Sequence, residues 1–530
     1  LMNLAYLFNH IWIQSQKAEY KRFLKACKTP EATQAEKLRT YLEKGRDTKF
    51  GQTHGFSKIS QYRDFAIQVP IQTWPDIQPW IEKMVNGEEN ILTSEPLLAF
   101  EETSGTTSMA KLIPYTQSLR DEFQTGVAAW ICSLSRFHPK TFTGPSYWSV
   151  SPATREKRST PNGIPIGLQS DGEYFNLITR FMLSQIWAVS PTIARETNPE
   201  KFYIKTLKEL LLKEDLSMIS VWSPGFFIQL DHFLQEHRDE LIEWLVQTKN
   251  GSKKRRKFLL DQLGGDFRWS YLFPRLSLVS CWTHAQAKLS LPLLHERLGF
   301  IYIQPKGLLS TEAITSIPVH PQLDPAISLR SHFYEFRVPN QEKTVLAHQV
   351  KPGETYEVIV TTGGGLFRYA TGDLVKITDF FHANPCLEFL GRGNSHSDLV
   401  GEKLNEPQLV AALSQIPEAI RSRISTMFVS PFSRQALHQY RLCISFKEDQ
   451  YSESELQTIQ QTVEGKLIEN PYYAQAIRLK QLNPLEVKPW SEEKARELDQ
   501  FLKKRNQIKD GDFKMPVLIQ SRILEEFGVE

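Results

Sequence analysis

The segment at residues 103–116 constrains the fold of this chain more than any other, because it joins three recognisable local patterns. It reads Thr-Ser-Gly-Thr-Thr-Ser-Met-Ala-Lys-Leu-Ile-Pro-Tyr-Thr. An apolar run at residues 96–100 predicts a strand before it, and residues 117–135 predict a helix after it. Small residues let the backbone turn tightly and direct its N–H groups at an anion, while Lys111 supplies positive charge. A strand, a small-residue loop and a helix in this order predict a phosphate-binding site.

The segment differs from the common P-loop. That motif needs glycine directly before its lysine and serine or threonine directly after it, whereas this chain has Ala110 and Leu112. A solvated, hydroxyl-rich turn with an unrelated lysine explains the composition equally well. The remainder of the chain therefore has to decide between the two interpretations.

The composition predicts a globular protein of at least two domains. The 530 residues exceed what one hydrophobic core usually holds, and hydrophobic and charged contents of 41% and 23% are ordinary. Lysine and arginine number 63 and the acidic residues 60, a balance that does not favour nucleic acid as a partner. A basic run at residues 252–257 is predicted to be a solvated loop between helices.

Cysteine spacing and hydropathy indicate the expected cellular location of the protein. The five cysteines lie far apart without metal-ligand spacing, which favours a reducing, cytoplasmic location without disulfides. No apolar run is long enough to span a bilayer. Residues 1–24 have apolar side chains at helical spacing but lack the features of a secretion signal, so we expect a helix packed on the protein body.

The order of local patterns predicts the domain organisation. Strand-like and helix-like segments alternate through the first two-thirds, which predicts an α/β domain whose sheet is covered by helices. Short strands dominate residues 331–392 and indicate an antiparallel or barrel-like subregion. We predict a large domain at residues 1–392, a smaller α+β domain at residues 393–530, and a hinge at residues 391–395.

Two acidic motifs in the predicted large domain fit nucleotide chemistry. The triplet Ser310-Thr311-Glu312 puts a carboxylate beside hydroxyls, and Mg²⁺ shared with nucleotide phosphates prefers such oxygen ligands. Asp373 ends the sequence Tyr-Ala-Thr-Gly-Asp, where a carboxylate can accept hydrogen bonds from ribose hydroxyls. Each motif is also an ordinary turn or helix cap.

Two basic residues complete the set of candidate groups. Arg392 lies in the predicted hinge, and Lys514 lies in the sequence Gly-Asp-Phe-Lys-Met-Pro near the end of the chain. A single lysine in such a place is normally solvated, so this residue alone indicates nothing.

Together and in this order, the motifs resemble those of adenylate-forming enzymes, the superfamily of acyl-CoA synthetases, nonribosomal adenylation domains and luciferases. Residues 103–111 resemble their Thr-Ser-Gly-Thr-Thr-Gly-x-Pro-Lys motif, with Ser108 and Ala110 in place of glycine and proline. Residues 369–373 resemble Tyr-Arg-Thr-Gly-Asp, with Ala370 in place of arginine.

A closer resemblance is to the acyl-acid amido synthetases, an auxin-responsive family of plants with bacterial relatives, and the chain is identified as a bacterial-type member. The resemblance runs from about residue 45 to residue 520. The segments that carry it are residues 48–56, 69–73, 111–116, 222–224, 310–312 and 470–473, together with Asp373.

The resemblance implies ATP and Mg²⁺ as cofactors, and a small-molecule carboxylic acid and an amine or amino acid as substrates. The acid would be activated as an acyl-adenylate, and the small domain would rotate between the two half-reactions. Glu312 would bind Mg²⁺ and act in catalysis with Lys514 and Lys111. The nucleotide-binding residues would be Thr103, Ser104, Gly105, Thr106, Thr107, Thr311, Glu312, Tyr369, Asp373 and Arg392. Leu308 and Leu309 replace an aromatic residue of relatives, so adenine would pack on Tyr369 or on an aliphatic surface.

The acid pocket and the acceptor are less constrained. Candidate lining residues are Phe123, Val127, Tyr174, Trp222 and Ser223, and ordinary core packing is the alternative for most of them. Two other functions stay open. The acyl group could pass to a thiol of coenzyme A or a carrier protein, or the chain could be a catalytically silent relative that binds nucleotide.

Overall fold

A computed structural model gives the fold of the chain. It describes residues 4–102, 111–149, 158–167, 185–196, 198–339, 341–392, 396–400, 402, 404–434, 437–479, 481–506, 508 and 513–529. The chain divides into two compact units. The larger comprises Leu1–Trp222, Gln229–Trp282 and Leu298–Phe389, and the smaller comprises Ser223–Ile228, Thr283–Arg297 and Leu390–Glu530.

A four-stranded sheet in the larger unit, called the parallel sheet below, is built as the alternating pattern predicted. Its strands are adjacent in chain order and all parallel: Ser146–Trp148, Met218–Ser220, Leu278–Cys281 and Tyr302–Pro305. The two central strands are buried along their whole length, which explains their continuous apolar and small residues. Because all four strands point the same way, their carboxyl ends share one edge.

Helices connect the strands of the parallel sheet. The helical segment after strand Met218–Ser220 is divided at His237 into two helices. The helices of this region are Gln117–Phe137, Pro199–Leu211, Pro224–Glu236, Arg238–Gln247, Lys253–Leu263, Trp269–Leu272 and Leu291–Leu298.

The basic run at residues 252–257 is not the solvated loop that its charge predicts. Ser252 caps the helix Lys253–Leu263, and Arg255 is only 2% exposed. Its guanidinium donates to the backbone oxygens of Leu211 at 2.9 Å and Leu272 at 2.8 Å. The prediction was wrong because one arginine of the run satisfies buried carbonyl groups, a role that composition does not reveal.

The strands predicted around residues 331–392 form a seven-stranded sheet. Its spatial order is Thr344–Leu346, Phe333–Arg337, Thr355–Thr361, Tyr369–Phe381, Asn384–Arg392, Ala326–Ile327 and Ser316–Ile317. Phe333–Arg337 pairs antiparallel with both of its neighbours, as does Ala326–Ile327. The antiparallel prediction for this region is therefore confirmed.

The segment from residue 103 to residue 116 contains a strand that its composition does not predict. Strand Leu97–Glu102 pairs antiparallel with Leu112–Thr116, with Glu102 opposite Leu112. Residues 103–110 thus join two strands of a hairpin, and helix Gln117–Phe137 starts only after the second strand. Thr116 caps this helix through its hydroxyl, which accepts from the Leu119 N–H at 3.1 Å.

Helices dominate the start of the chain. They are Leu4–Ala26, Pro30–Gly45, Lys49–Thr53, Tyr62–Gln68 and Trp74–Val85. Phe23 of the first helix lies in one buried cluster with Ala129 and Trp130, so this helix packs on the protein body as expected. Within the part of the chain that the structure describes, no helix combines the length and apolarity needed to cross a membrane. All five cysteines are free and buried.

The smaller unit has the predicted α+β character. Its sheet pairs Ile424–Arg434 antiparallel with Leu437–Phe446, which in turn pairs parallel with Asn483–Trp490. The helices after residue 400 are Glu406–Leu413, Glu418–Arg421, Glu453–Leu467, Pro471–Arg478, Glu492–Asn506 and Ser521–Glu526. A buried core of its own, which includes Leu409, Tyr440 and Ile459, stabilises this unit.

Candidate active site

Glu312 lies at a tight turn of the larger unit. Leu309 and Ile314 pair antiparallel across the turn, and the Ser310 N–H donates to the Ala313 oxygen at 2.9 Å. The Glu312 side chain is 6% exposed, and its carboxylate makes no hydrogen bond or ion pair with any residue that the structure describes. A buried carboxylate is costly unless a cation or donor compensates it.

The donor set at this turn fits Mg²⁺. Glu312 offers carboxylate oxygens and its neighbour Thr311 a hydroxyl, both of which are hard ligands. The described residues contain no cluster of three or more His, Cys, Asp or Glu side chains that could hold a metal alone. A magnesium ion at Glu312 would thus draw further ligands from phosphate oxygens and water, which is how Mg²⁺ binds with nucleotides.

A buried hydrogen-bonded network fixes this turn to the helix that follows the hairpin. The Ile314 N–H donates to His332 Nε2 at 3.0 Å, so the imidazole proton lies on Nδ1. Nδ1 donates at 2.9 Å to Glu122, a residue of helix Gln117–Phe137. The same carboxylate accepts from Tyr41 at 2.6 Å and from the Gly363 N–H at 2.9 Å. The network therefore joins the Glu312 turn, the helix and the glycine run.

The pKa values of His332 and Glu122 are both lowered in the folded protein. Burial lowers the pKa of His332, although the neighbouring Glu122 carboxylate opposes the shift. Burial alone would raise the pKa of Glu122, but hydrogen bonds from His332 and Tyr41 and the charge of Lys37 hold it below its usual value. Inside the fold, His332 is therefore neutral and Glu122 is ionised at neutral pH.

We expect this pair to make the fold acid-sensitive. Because the pKa of His332 is lower in the fold than the roughly 6.5 of an unfolded chain, stability is complete above about pH 7 and is lost as the pH falls below 6.5. Loss of the Glu122 contribution follows as the pH falls below about 4.3. Thermal unfolding of wild type and His332→Gln between pH 5 and 8 measures the first effect.

The His332→Gln variant should have a lower midpoint at pH 8 and a weaker dependence between pH 7 and 5, by up to one proton. His295→Gln, at an exposed position, is the matched control and should behave as wild type. Equal pH dependence in wild type and His332→Gln would show that His332 does not set this sensitivity.

The glycine run at residues 363–365 packs directly on the hairpin and the helix start. Thr116 donates from its hydroxyl to the Gly363 oxygen at 2.9 Å. A methyl group on Gly364 would lie 2.8 Å from the Pro114 oxygen, closer than a side chain tolerates. Gly365 has a positive φ of 94°. Glycine is needed here because two backbone segments touch.

Tyr369 and Asp373, predicted for the nucleoside, follow this run on strand Tyr369–Phe381. The Lys111 Nζ lies 3.5 Å from the Tyr369 hydroxyl and 5.6 Å from the centre of the Trp74 ring. The Tyr369 side chain is 1% exposed and the Asp373 side chain 4% exposed. The structure thus brings Lys111 and Tyr369 together, although they are far apart in sequence.

The other predicted residues lie in different places. Arg392 is exposed at the end of strand Asn384–Arg392, and Lys514 is half-buried; both belong to the smaller unit. Thr103, Ser104, Gly105, Thr106, Thr107 and Tyr174 lie outside the described residues.

The predicted acid-pocket residues fall into two groups. Phe123 and Val127 are half-buried on helix Gln117–Phe137 and pack against the core cluster that contains Trp130. Trp222 follows strand Met218–Ser220 at the carboxyl edge of the parallel sheet, and the adjacent Ser223 accepts from the Gly225 N–H at 3.1 Å.

Trp222 belongs to a larger cluster at this edge, and the cluster as a whole was not predicted from the sequence. Trp148 ends the first strand of the parallel sheet, Trp222 and Trp282 follow the second and third, and Lys306 follows the fourth. Trp222 and Trp282 lie 5.6 Å apart, and Trp130 lies 5.7 Å from Trp148. A tryptophan or lysine at or just after the end of each strand is a sequence signal that could have indicated this cluster. The name tryptophan box is used below for Trp130, Trp148, Trp222 and Trp282.

Comparison with known proteins places the chain in a family. Sequence profiles of the GH3 family match it over three regions: the N-terminal domain at residues 19–299, the central domain at residues 326–392 and the C-terminal domain at residues 408–523. These regions cover most of the chain, which therefore belongs to the GH3 family. The predicted resemblance is confirmed.

Relatives and solved structures agree with this membership. Indole-3-acetic acid-amido synthetase GH3.3 of Arabidopsis thaliana is 21% identical over 71% of this chain and 69% of its own. Jasmonoyl–L-amino acid synthetase JAR4 of Nicotiana attenuata is 23% identical over 72% of each chain. The structure of AtGH3.15 acyl acid amido synthetase in complex with 2,4-DB has a TM-score of 0.85 at 19% identity and covers 97% of this chain and 96% of its own. The last comparison confirms the fold.

Proposed function

We propose that this protein is an ATP-dependent ligase that joins a carboxylic acid to the amine of an amino acid. The relatives named above are acid–amino acid ligases. The observation that carries the proposal is the buried Glu312 carboxylate, which has no partner among the described residues and is tied to the hairpin helix through Ile314, His332 and Glu122. An acid tied to the helix that follows a predicted phosphate-binding segment suits adenylation chemistry.

The reaction has two half-reactions. A carboxylate oxygen of the acid attacks the α-phosphorus of ATP, the bond to pyrophosphate breaks, and an acyl-adenylate forms. The amine nitrogen then attacks the acyl carbon, AMP leaves, and the nitrogen loses a proton. In the first step two anions approach each other, so the site must supply positive charge.

The residues of the larger unit have distinct roles in this proposal. Residues 103–107 would hold the ATP phosphates with Lys111. Glu312 and Thr311 would hold Mg²⁺, which when bound supplies charge to the phosphate oxygens. Asp373 and Tyr369 would hold the nucleoside. The contact of Lys111 with Tyr369 supports a single nucleotide site that spans both motifs.

Residues 393–530, which belong to the smaller unit, would act as a mobile lid. Arg392 would lie beside the ribose, at the hinge, and Lys514 would stabilise the charge that develops during adenylation. Rotation of this domain would then remove Lys514 and admit the amine, since both half-reactions take place at the same acyl group.

Acid-dependent exchange of pyrophosphate into ATP tests the adenylation step without any acceptor. We expect exchange with some members of a panel of aromatic, indolic and aliphatic carboxylic acids, and none without an acid. A folded protein that binds ATP but shows no exchange with any acid, and cleaves no ATP when amines are added, would contradict the proposal.

The role of Lys514 predicts a split between the half-reactions. Lys514→Ala should lower pyrophosphate release by about 10²-fold, because it removes one preorganised positive charge. The variant should still convert a supplied acyl-adenylate and amino acid to the amide at nearly the wild-type rate. Lys504→Ala, at an exposed position of the same unit, should change neither rate. Equal loss in both half-reactions would contradict a role confined to adenylation.

A further inference from the structure

Lys306 lies at the carboxyl edge of the parallel sheet and is only 6% exposed. Its ammonium donates to the Ser220 hydroxyl at 2.8 Å. It also lies 4.4 Å from the centre of the Trp222 ring and 5.6 Å from that of Trp130. The lysine is thus held against two faces of aromatic rings, a favourable place for a cation.

The protein supplies little else for this ammonium. A lysine ammonium has three donors, and only the Ser220 hydroxyl accepts from it among the described residues. No described carboxylate forms an ion pair with it. Burial lowers the pKa of Lys306 to about 7, and the Cys281 thiol opposes this shift. That thiol stays neutral, because burial raises its own pKa to about 12.

Lys306 lies at a place in the sheet where ligands commonly bind. In open sheets with parallel strands, ligands bind beyond the carboxyl ends of the strands. Trp148, Trp222 and Trp282 are half-exposed at these ends, so part of the tryptophan box remains open to a ligand. Lys306 is also six residues before Glu312 on the same segment, which connects the box to the turn that would hold the magnesium ion.

We propose that Lys306 is a specificity-determining residue that binds a carboxylate of one of the two organic substrates within the tryptophan box. The inference rests on the proposed ligase function. Both substrates supply this chemistry: the acid has its own or a second carboxylate, and the amino acid keeps its carboxylate throughout the reaction. The aromatic rings contact the apolar body of the bound molecule, and the ammonium pairs with its charge.

Binding of a carboxylate must be linked to protonation of Lys306. A bound anion stabilises the charged form and raises the pKa of the amine above its value in the free protein. Wild-type affinity for that substrate should therefore fall as the pH rises above about 7, by up to tenfold per pH unit. Binding should take up a proton when it is measured near pH 8.

Steady-state kinetics of Lys306→Met test the proposal. Methionine keeps the apolar stem in contact with the tryptophans and removes the charge. We expect the KM of one substrate to rise about 10- to 100-fold, the range for a hydrogen bond to a charged group, with a smaller change in kcat. The substrate whose KM rises identifies the bound carboxylate. In Lys306→Met, the KM of that substrate should no longer rise above pH 7. Lys306→Arg should keep a low KM. Lys58→Met, at an exposed position, is the control and should match wild type.

Two results would overturn the proposal. One is a fall in kcat with both KM values unchanged, which would indicate proton transfer by Lys306. The other is wild-type behaviour of a folded Lys306→Met variant. If that variant has a lowered thermal midpoint, Lys306→Gln replaces it.

Calorimetric binding without ATP separates this inference from the ligase proposal. The ligands are benzoate, phenylacetate, benzamide and the twenty amino acids. We expect a carboxylate to bind wild type more tightly than Lys306→Met, and benzamide to bind both alike. Equal binding of every carboxylate to the two proteins, or binding of none, would overturn the role of Lys306, whether or not the protein adenylates acids.

Discussion

Replacing Glu312 by glutamine will lower acid-dependent pyrophosphate release by about 10³-fold or more, because the proposed magnesium ion would lose a carboxylate ligand. That ion would stabilise the charge that develops on the phosphate oxygens by several kcal/mol. The loss should come with a higher Mg²⁺ requirement in the residual activity. Glutamine has nearly the same volume, and the buried carboxylate has no hydrogen bond to lose within the described residues. The thermal midpoint should therefore be unchanged or slightly raised.

Glu89→Gln is the matched control for this experiment. Glu89 is an exposed carboxylate of the same unit, and its replacement should leave both activity and midpoint at wild-type values. A Glu312→Gln variant that keeps wild-type activity and Mg²⁺ dependence would exclude Glu312 as the metal ligand.

Replacing Arg368 by methionine will destabilise the protein by about 3–5 kcal/mol, because it leaves a buried carboxylate without its partner. Arg368 is 4% exposed and Glu335 1% exposed. Their contact is bidentate, with the guanidinium Nη2 and Nε donating at 2.8 Å and 3.0 Å. A second Nη of Arg368 donates to the backbone oxygens of Ala66 at 2.8 Å and Val69 at 2.7 Å. The two carboxylate oxygens of Glu335 and the two backbone oxygens would thus lose their hydrogen bonds from the guanidinium.

Arg368 also directly precedes Tyr369 of the predicted nucleotide motif and has a positive φ of 49°. Its backbone oxygen accepts from the Gln72 N–H at 2.9 Å.

Urea unfolding measures the loss in stability of Arg368→Met. The double variant Arg368→Met/Glu335→Gln should recover part of that loss, because no charge then stays buried.

Arg337→Met is the control for this pair. Arg337 bonds Glu357 in the same sheet at 2.7 Å but is partly exposed, so its loss should cost about 1 kcal/mol or less. A similar small cost for Arg368→Met would show that the buried pair does not stabilise the fold.

Local patterns predicted the elements of the fold better than the contacts between them. The parallel sheet followed from buried strands that alternate with helices, and the α+β unit from its mixed pattern. Strand Leu112–Thr116 was missed because Pro114 argues against a strand and the segment is short. The buried role of Arg255 was missed because its acceptors, Leu211 and Leu272, are distant in sequence.

The same limit applies to the candidate site. Motif order was sufficient to recognise the family and to select Lys111, Glu312 and Asp373. Glu122 and His332 are separated by 210 residues, and neither lies in a motif, so only the fold reveals that they connect the site. Lys306 was overlooked because a lysine after a strand is normally solvated, and only burial distinguishes this one.

The most direct test of the central claim is mass spectrometry of the products formed from ATP, a panel of carboxylic acids and the twenty amino acids, with coenzyme A and pantetheine as alternative acceptors. The ligase account predicts an acid–amino acid amide, with one AMP and one pyrophosphate formed per amide. A thioester without any amide would contradict the amine as acceptor, and the absence of ATP cleavage with every combination would contradict the ligase function itself.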